Sequence, residues 1–429
     1  VKERSYKNYL LTVLLIILAL NYVDRLALGL VLQDIKVDLH LSDTQLGLLS
    51  GLAFAFFYSL MGIPIARWAD RGNRVRIISL TAALWSVAVA LCGFATGFLQ
   101  LLSIRVGVAI GEAGCVPPAH SLIADTFTRT ERPRAVARYM LGVPLSMVIG
   151  YFLAGWLNEF YGWRMTFVLL GLPGIVMAIL ASCTLKEPRD QDVERSRLEK
   201  AAAVPVQPGL RKLCVTLWTN RTFRHLLFCF SAMSFFGFGI QQWQPAFFIR
   251  SYGLTTAELG TWFTVIYGLG GLLGTYWGGE WASRHAAHDE RLQLKAMALV
   301  CCGLGVITSL IYLSANRYVA FGLMAVTAIG GATTAGPLFG AIQTLVPARM
   351  RAFSIALIYL FANLIGMGLG PVAAGVLSDV FRPLVGEESL RYALLALCPG
   401  YLWGGWHLWR ASQTVTHDLE LAQDEDDAG

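Results

Sequence analysis

Four ionisable side chains lie inside long apolar stretches: Asp24 and Arg25 in one, Arg105 and Glu112 in another. An ionised group at mid-bilayer costs roughly 2.5 to 3.5 kcal/mol even on a lenient insertion scale, so such residues are by default functional. Arg105 and Glu112 stand two turns apart along one helical face. An apolar setting favours the neutral form of a carboxylate and a neighbouring arginine the charged form. Poised between the two, Asp24 and Glu112 are candidates to take up and release a proton. Protonation would break a pair such as Asp24–Arg105 and change which conformation is favoured. A purely structural salt bridge is the competing reading, and it is the weaker one, because buried ion pairs stabilise poorly beside apolar packing.

These residues need elements that hold them at depth. The chain is 55% apolar and only 14% charged, whereas soluble domains carry about a quarter charged residues. A spanning helix needs about 20 mostly apolar residues. Twelve such stretches are present: Asn8–Leu32, Thr44–Ile65, Ile77–Gly97, Phe98–Ala124, Val136–Leu157, Met165–Leu185, Phe223–Ile249, Leu259–Trp281, Ala296–Ser314, Tyr318–Leu345, Ala352–Ser378 and Leu390–Trp409, helices 1 to 12 in order. The first is too long for a signal peptide and continues the series. The chain starts at Val1 without methionine, so a preceding tail is expected.

Lysine and arginine set the orientation. With a cytoplasmic N-terminus, the inner segments hold 26 of them and the outer segments 6. Both termini are therefore expected on the cytoplasmic side, in a bacterial inner membrane. The net charge of +6 belongs to the inner face and not to nucleic-acid binding. Helix 1 then runs outward, with Asp24 about 12 Å from its outer end, and helix 4 runs inward, with Arg105 about 10 Å below the same face. Their depths match, so the two are expected to pair wherever helices 1 and 4 are neighbours. His120, nearer the cytoplasm, reads as structural.

Four sequence matches relate the two halves. Leu41–Gly47 repeats as Leu254–Gly260 and Ala66–Arg71 as Gly279–Arg284, both at an offset of 213 residues. Arg132–Ala135 repeats as Arg349–Ala352 at 217, and Ala154–Leu157 as Ala374–Leu377 at 220. The first match is a capping box in each copy: Ser42 with Gln45, and Thr255 with Glu258. The predicted organisation is an all-α membrane protein of two pseudo-symmetric six-helix bundles, 1–185 and 222–411. A charged, proline-containing cytoplasmic linker over 186–221 joins them, with a short surface helix over Val193–Ala203. An acidic cytoplasmic tail over 412–429 follows, and its end, Asp424–Asp427, reads as solvated and disordered. Parallel six-helix repeats describe a transporter with its substrate site near the midplane. The eight cysteines show no Cys-x-x-Cys spacing, so neither a metal centre nor a disulfide framework is implied. No nucleophile elbow or phosphate loop appears, which excludes the enzymes those motifs mark. No cofactor is implied, and the working unit is read as a monomer.

The chain resembles the major facilitator superfamily over nearly its whole length. The loop after helix 2, Ala66-Arg67-Trp68-Ala69-Asp70-Arg71-Gly72-Asn73-Arg74, is similar to that family's Gly-x-x-x-Asp-Arg-x-Gly-Arg motif, with Ala66 and Asn73 in place of the two glycines. Asp70, Arg71 and Arg74, with Asp125, are expected to form a cytoplasmic gating cluster. Asn21-Tyr22-Val23-Asp24-Arg25 and Arg105-Val106-Gly107-Val108-Ala109-Ile110-Gly111-Glu112 resemble the helix 1 and helix 4 motifs of Spinster-type transporters, with Ala109 replacing a glycine. Pro117-Pro118, Ile123–Phe127 and Gly162–Phe167 also look like that family.

The resemblance implies that Asp24 and Glu112 carry the proton and that Arg25 or Arg105 meets an anionic head group. The expected substrate is a lysophospholipid or a sphingolipid-like amphiphile. An Asp-Arg pair in helix 1 also occurs in organic-anion symporters, so proton-coupled uptake of sugar acids is the second reading. A non-transporting receptor is the third, and the intact charges argue against it. Helices 7, 10, 11 and 12 carry no acidic or basic residue at depth, and offer instead Gln241, Gln242, Trp243, Thr333, Thr334 and Asn363 as possible cavity groups. The aromatic runs Phe54–Tyr58 and Phe235–Phe238 are candidates to line a space for an acyl tail, although lipid-facing packing is the default for any one ring. Gly142, Pro144 and Gly150 on helix 5 read as close-packing residues before an antiporter motif.

Overall fold

In a bilayer every backbone polar group must be satisfied within its own segment, which leaves helices as the solution for apolar stretches of this length. The computed structural model describes residues 2–188, 210–285, 289–345 and 351–427, and among them every regular element is helical. The helices follow the order of the apolar stretches.

Helix 1 is unbroken over Lys2–Leu39 and extends beyond its apolar stretch. Helix 2 is Asp43–Ser50 followed by Leu52–Arg71, with a break at Gly51. Helix 3 is Arg74–Cys92. Helix 4 is Phe98–Glu112 and then Val116–Thr126. The second segment opens with Pro117 and Pro118 in its first turn, where no N–H donor is needed. Helices 5 and 6 are covered by Arg132–Met140 and Gly142–Thr184, and the chain turns between them at Gly162, whose φ of +75° suits glycine.

Helix 7 is Arg221–Tyr252. Helix 8 is Thr256–Phe263, a π-helical stretch Thr264–Leu269, and Gly270–His285. Helices 9 and 10 are Glu290–Leu313 and Arg317–Leu345. Helix 11 contains a second π-helical stretch, Ala362–Leu369, between Arg351–Phe361 and Gly370–Val385. Helix 12 is Ser389–Leu397 and Gly400–Asp427.

Both expected capping boxes form. Ser42 Oγ accepts from Gln45 N–H at 3.1 Å while Ser42 N–H donates to Gln45 Oε1 at 2.9 Å. Thr255 and Glu258 repeat the exchange. The repeat extends to irregularity: the break at Gly51 and the start of the π-helical stretch at Thr264 fall at the same 213-residue offset.

Two compact units result. The first holds helices 1 to 6 together with Gln244–Thr264, and the second holds the rest of helices 7 and 8 and helices 9 to 12. Without a hydrophobic drive between helices in lipid, association relies on small residues that let backbones approach. In the first unit a Cβ on Gly142 would lie 2.8 Å from Leu15 O, and one on Gly150 would lie 3.3 Å from Val23 Cα. Helix 5 is thus pressed onto helix 1 beside Asp24, which is the close-packing role read from the glycine spacing. In the second unit Phe223, Leu226 and Leu227 of helix 7 pack with Leu294 and Met297 of helix 9, Ile342 of helix 10 and Leu408 of helix 12.

One sequence expectation is corrected. Helix 12, expected to give way to a disordered acidic run at Asp424–Asp427, continues to Asp427. It is held by contacts to helix 7: Asp418 is buried and accepts from the Thr222 N–H at 2.7 Å, and Thr414 meets Thr222 at 2.6 Å. Within the 186–221 segment, Leu210–Thr219 is helical. The short helix expected over Val193–Ala203 lies outside the described residues.

Candidate functional site

Helix 4 is positioned by helix 3. A Cβ on Gly111 would lie 2.7 Å from Trp85 N, and one on Gly114 would lie 2.3 Å from Thr81 Cγ2, so only glycines permit this approach. Glu112 sits between those two contacts, at the last residue before helix 4 breaks. Helix 1 lies across from it.

Two ion pairs join the helices. Arg105 Nη1 donates to Asp24 Oδ2 at 2.6 Å, as the matching depths predict. Arg25 Nε and Nη2 both reach Glu112 Oε2 at 2.6 Å. Asp24, Arg105 and Glu112 are buried, at 2%, 1% and 0% exposure, while Arg25 remains partly accessible. The guanidinium of Arg25 stands over three rings: Tyr22 at 4.9 Å, and Phe54 and Tyr58 at 4.7 Å each. Cation–π attraction at desolvated sites reaches about 2 kcal/mol per ring, so this enclosure contributes as much as a charge-assisted hydrogen bond. Phe54 and Tyr58 stack on one another, one helical turn apart, and Phe54 also lies under Arg105 at 5.6 Å. Phe56, between them in sequence, points outward and is exposed. The run expected to face an acyl tail or lipid therefore divides, and the turn-spaced pair walls the arginines.

A second cluster surrounds Arg74, at the start of helix 3. Arg74 is fully buried and forks onto Glu187, with Nε donating to Oε1 at 3.1 Å and the backbone N–H to Oε2 at 2.6 Å. Its Nη1 reaches Asp125 Oδ2 at 2.6 Å and the Ser121 carbonyl at 2.9 Å. Asp70 and Arg71, expected in the same cluster, are exposed on the last turn of helix 2. Glu187 escaped sequence reading because it stands at the mouth of a charged linker, where a carboxylate is ordinarily solvated.

The largest arrangement that the sequence did not announce joins Gln244–Thr264 to helices 1, 2 and 5. Arg250 grips Asp43 through two bonds, of 2.7 and 2.8 Å, and donates to Gln33 Oε1 at 2.6 Å. Lys36 also pairs with Asp43, which is fully buried. Nearby, the Thr256 N–H and hydroxyl donate to Glu159 at 3.2 Å, and Asn158 bonds Thr256 Oγ1 at 3.2 Å and also Asp34. Gly155 and Gly260 meet backbone to backbone, where a Cβ on Gly155 would fall 2.8 Å from Gly260 Cα. The available signal was that Asp43 and Thr256 occupy equivalent positions in the repeat, each just after a capping residue.

In the second unit, Gln241 and Gln242 are half-buried, and Asn363 lies half-buried in the π-helical stretch of helix 11. π-helical turns recur at functional sites. Thr333 and Thr334 bond carbonyls of their own helix, Gly330 at 2.7 Å and Gly331 at 2.9 Å. Trp243 packs inside the second unit. It is fully enclosed and its indole N–H donates to the Pro371 carbonyl at 2.9 Å, because a buried indole must satisfy that donor. At the ends of the apolar stretches of helices 7 and 12, His225 Nδ1 and His407 Nδ1 lie 2.9 Å apart.

The family model of the Major Facilitator Superfamily matches residues 14–408. The chain belongs to the major facilitator superfamily. As a superfamily member it is a transporter and an integral membrane protein, not an enzyme. It is 31% identical over 412 residues to an MFS-type efflux pump of Mycolicibacterium smegmatis, covering 95% of this chain and 93% of that protein. It is 25% identical to the hexuronate transporter of Bacillus subtilis, over 87% of this chain and 89% of that protein. A crystal structure of a bacterial homologue of the human lysosomal transporter Spinster, inward-facing and unoccupied, superposes with a TM-score of 0.83 at 28% identity, covering 96% of this chain and 98% of that one.

Proposed function

We propose that this superfamily member is a proton-coupled secondary transporter of a single-chain anionic or zwitterionic lipid, working by alternating access in a bacterial inner membrane with both termini cytoplasmic. The observation that carries the reading is the pair of bridges Asp24–Arg105 and Arg25–Glu112, buried together and walled by aromatic rings. Asp24 and Glu112 hold the proton. Arg25 is the accessible cation and meets the head group. Protonation of Glu112 frees Arg25 for an anionic ligand, and departure of the ligand returns Arg25 to the carboxylate, so substrate and proton report on one another through a shared guanidinium. Arg74 with Asp125 and Glu187 serves as the cytoplasmic latch, with Asp70 and Arg71 at its solvent side. The Asp43–Arg250 clamp serves as the opposite latch, and its release lets Gln244–Thr264 leave helices 2 and 5. Gln241, Gln242, Thr333 and Asn363 supply uncharged polar groups to the substrate path.

The resemblance of the helix 1 and helix 4 motifs to Spinster-type transporters supports a lipid substrate, and likeness to a hexuronate transporter supports the second reading, proton-coupled symport of sugar acids. A homologous series of single-chain phospholipids separates them. Affinity should rise with acyl length for one head group, and Arg25→Ala should weaken every member by roughly ten- to a hundredfold, the worth of a charge-assisted bond of about 1.5 to 3 kcal/mol. Tight binding of glucuronate together with indifference to chain length would replace the lipid by the sugar acid.

A further inference from the structure

Asn21 adjoins the charge site through Arg25. It is fully buried on helix 1, one turn before Arg25, and its Oδ1 accepts from Arg25 Nη2 at 3.4 Å. Its amide nitrogen, which carries two N–H donors, has no protein partner. Three further buried atoms around it are also without one: Asp24 Oδ1, Glu112 Oε1 and Arg105 Nε. Each ion pair thus uses one carboxylate oxygen and leaves the other free.

The levels of these groups follow from helix geometry. Asn21 is about 4.5 Å along helix 1 from Asp24, and Glu112 is about 10 Å along helix 4 from Arg105, in the same direction because the helices run antiparallel. With Asp24 and Arg105 paired, Asn21 stands about midway between the two bridges. A gap of about 5 Å between polar atoms is the span of one water accepting on one side and donating on the other. Buried polar atoms in native proteins are satisfied by protein or by ordered water, and an unsatisfied donor is costly. A purely structural residue at this depth would be apolar, since burying an amide without partners is unfavourable.

We propose that Asn21 is a positioning residue of the proton site: its two amide N–H groups hold buried water that bridges the free oxygens of Asp24 and Glu112, so the two carboxylates titrate as one coupled pair. This rests on the proton-coupling reading above. The titratable and charged groups facing the cluster are Tyr22 and Arg25 of helix 1, Tyr58 of helix 2, Cys92 of helix 3, Arg105, Glu112 and Cys115 of helix 4, and Tyr139 of helix 5. Of these and Asp24, only the two carboxylates have ordinary values below neutrality, and the arginines stay charged throughout. Two sites that interact by more than about one pK unit lose their protons in steps that belong to the pair.

The test is difference infrared spectroscopy of the full chain in phosphatidylcholine–phosphatidylglycerol bilayers. The carboxylic C=O band is titrated with pH, and buried-water O–H bands are identified by exchange into oxygen-18 water. With Asn21 in place, Asp24→Asn should shift the Glu112 titration by about one pH unit or more, even though conformational switching no longer follows pH in that variant. Asn21→Leu should remove an oxygen-18-sensitive band and abolish that mutual dependence, while Asn21→Ser, which keeps a small donor, should retain part of both. If Asn21→Leu keeps the water band and the same mutual dependence as the native chain, Asn21 does not position the site. If instead neither carboxyl titrates in the native chain, and Asp24→Asn and Glu112→Gln change nothing, the proton-coupling reading falls, and the shared titration with it.

Discussion

Arg25 and Glu112 are bound across helices 1 and 4 by two guanidinium contacts of 2.6 Å to a single carboxylate oxygen, with the guanidinium face enclosed by Tyr22, Phe54 and Tyr58. Glu112 is sealed from solvent, yet Arg25 is not. A cation that is both held and reachable is suited to exchange partners. Glu112→Gln removes the charge and keeps the shape, and the rings continue to hold Arg25. Folding and expression should therefore stay near native, while uphill transport in proteoliposomes falls by at least tenfold. Native uphill transport in this variant would take Glu112 out of the mechanism.

Asp24 and Arg105 are both buried, so breaking their pair from one side has a larger effect than removing it whole. Asp24→Leu leaves an uncompensated cation and should cost about 3 to 5 kcal/mol. Adding Arg105→Met should recover most of that loss, since apolar replacements of buried pairs are often neutral. Thermal unfolding in detergent measures both. The pH response should be absent from single and double variants alike, and also from Asp24→Asn. Interfacial distances that still move with pH in Asp24→Asn would show that another group is the sensor.

The Arg74 cluster contains two unequal carboxylates. Glu187 is buried with Arg74, whereas the Asp125 side chain is 41% exposed. Burial decides the ranking, because exposed pairs contribute about 0 to 1 kcal/mol and breaking a buried one costs about 3 to 5 kcal/mol. Glu187→Ala should destabilise the protein several times more than Asp125→Ala. A double-mutant cycle with Arg74→Ala should place most of the coupling on Glu187. Equal effects from the two carboxylates would contradict this account.

The contact between helices 5 and 8 has no room for a side chain at Gly155, where a Cβ would fall 2.5 Å from Thr256 O. Gly155→Val must push Thr256–Phe263 away from helix 5, and with it loosen the Thr256 bonds to Asn158 and Glu159. Spin labels at the exposed positions Val37 and Glu258 report the separation. Their distance distribution should lengthen in Gly155→Val. An unchanged distribution, with the protein folded, would mean the backbone contact does not hold this end together.

Much of this was readable from the chain alone. Apolar length announced the twelve helices, repeat offsets announced their pairing into sixes, and the capping boxes at Ser42 and Thr255 formed as spaced. Each of these depends on local composition or on one helical period. Depth is also nearly one-dimensional, which is why Asp24 and Arg105 were matched before their helices were seen together. Rotation about the helix axis is not encoded that way. Neighbours on a helix point about 100° apart, and only the packing of Gly111 and Gly114 on helix 3, and of Gly150 on helix 1, decides that Arg25 turns to Glu112. The same holds where partners are far apart in sequence. Arg74 meets Glu187, Arg250 meets Asp43, and Trp243 turns to Pro371 because tertiary contacts bury each donor beside an acceptor, and a buried polar group takes the partner its surroundings provide.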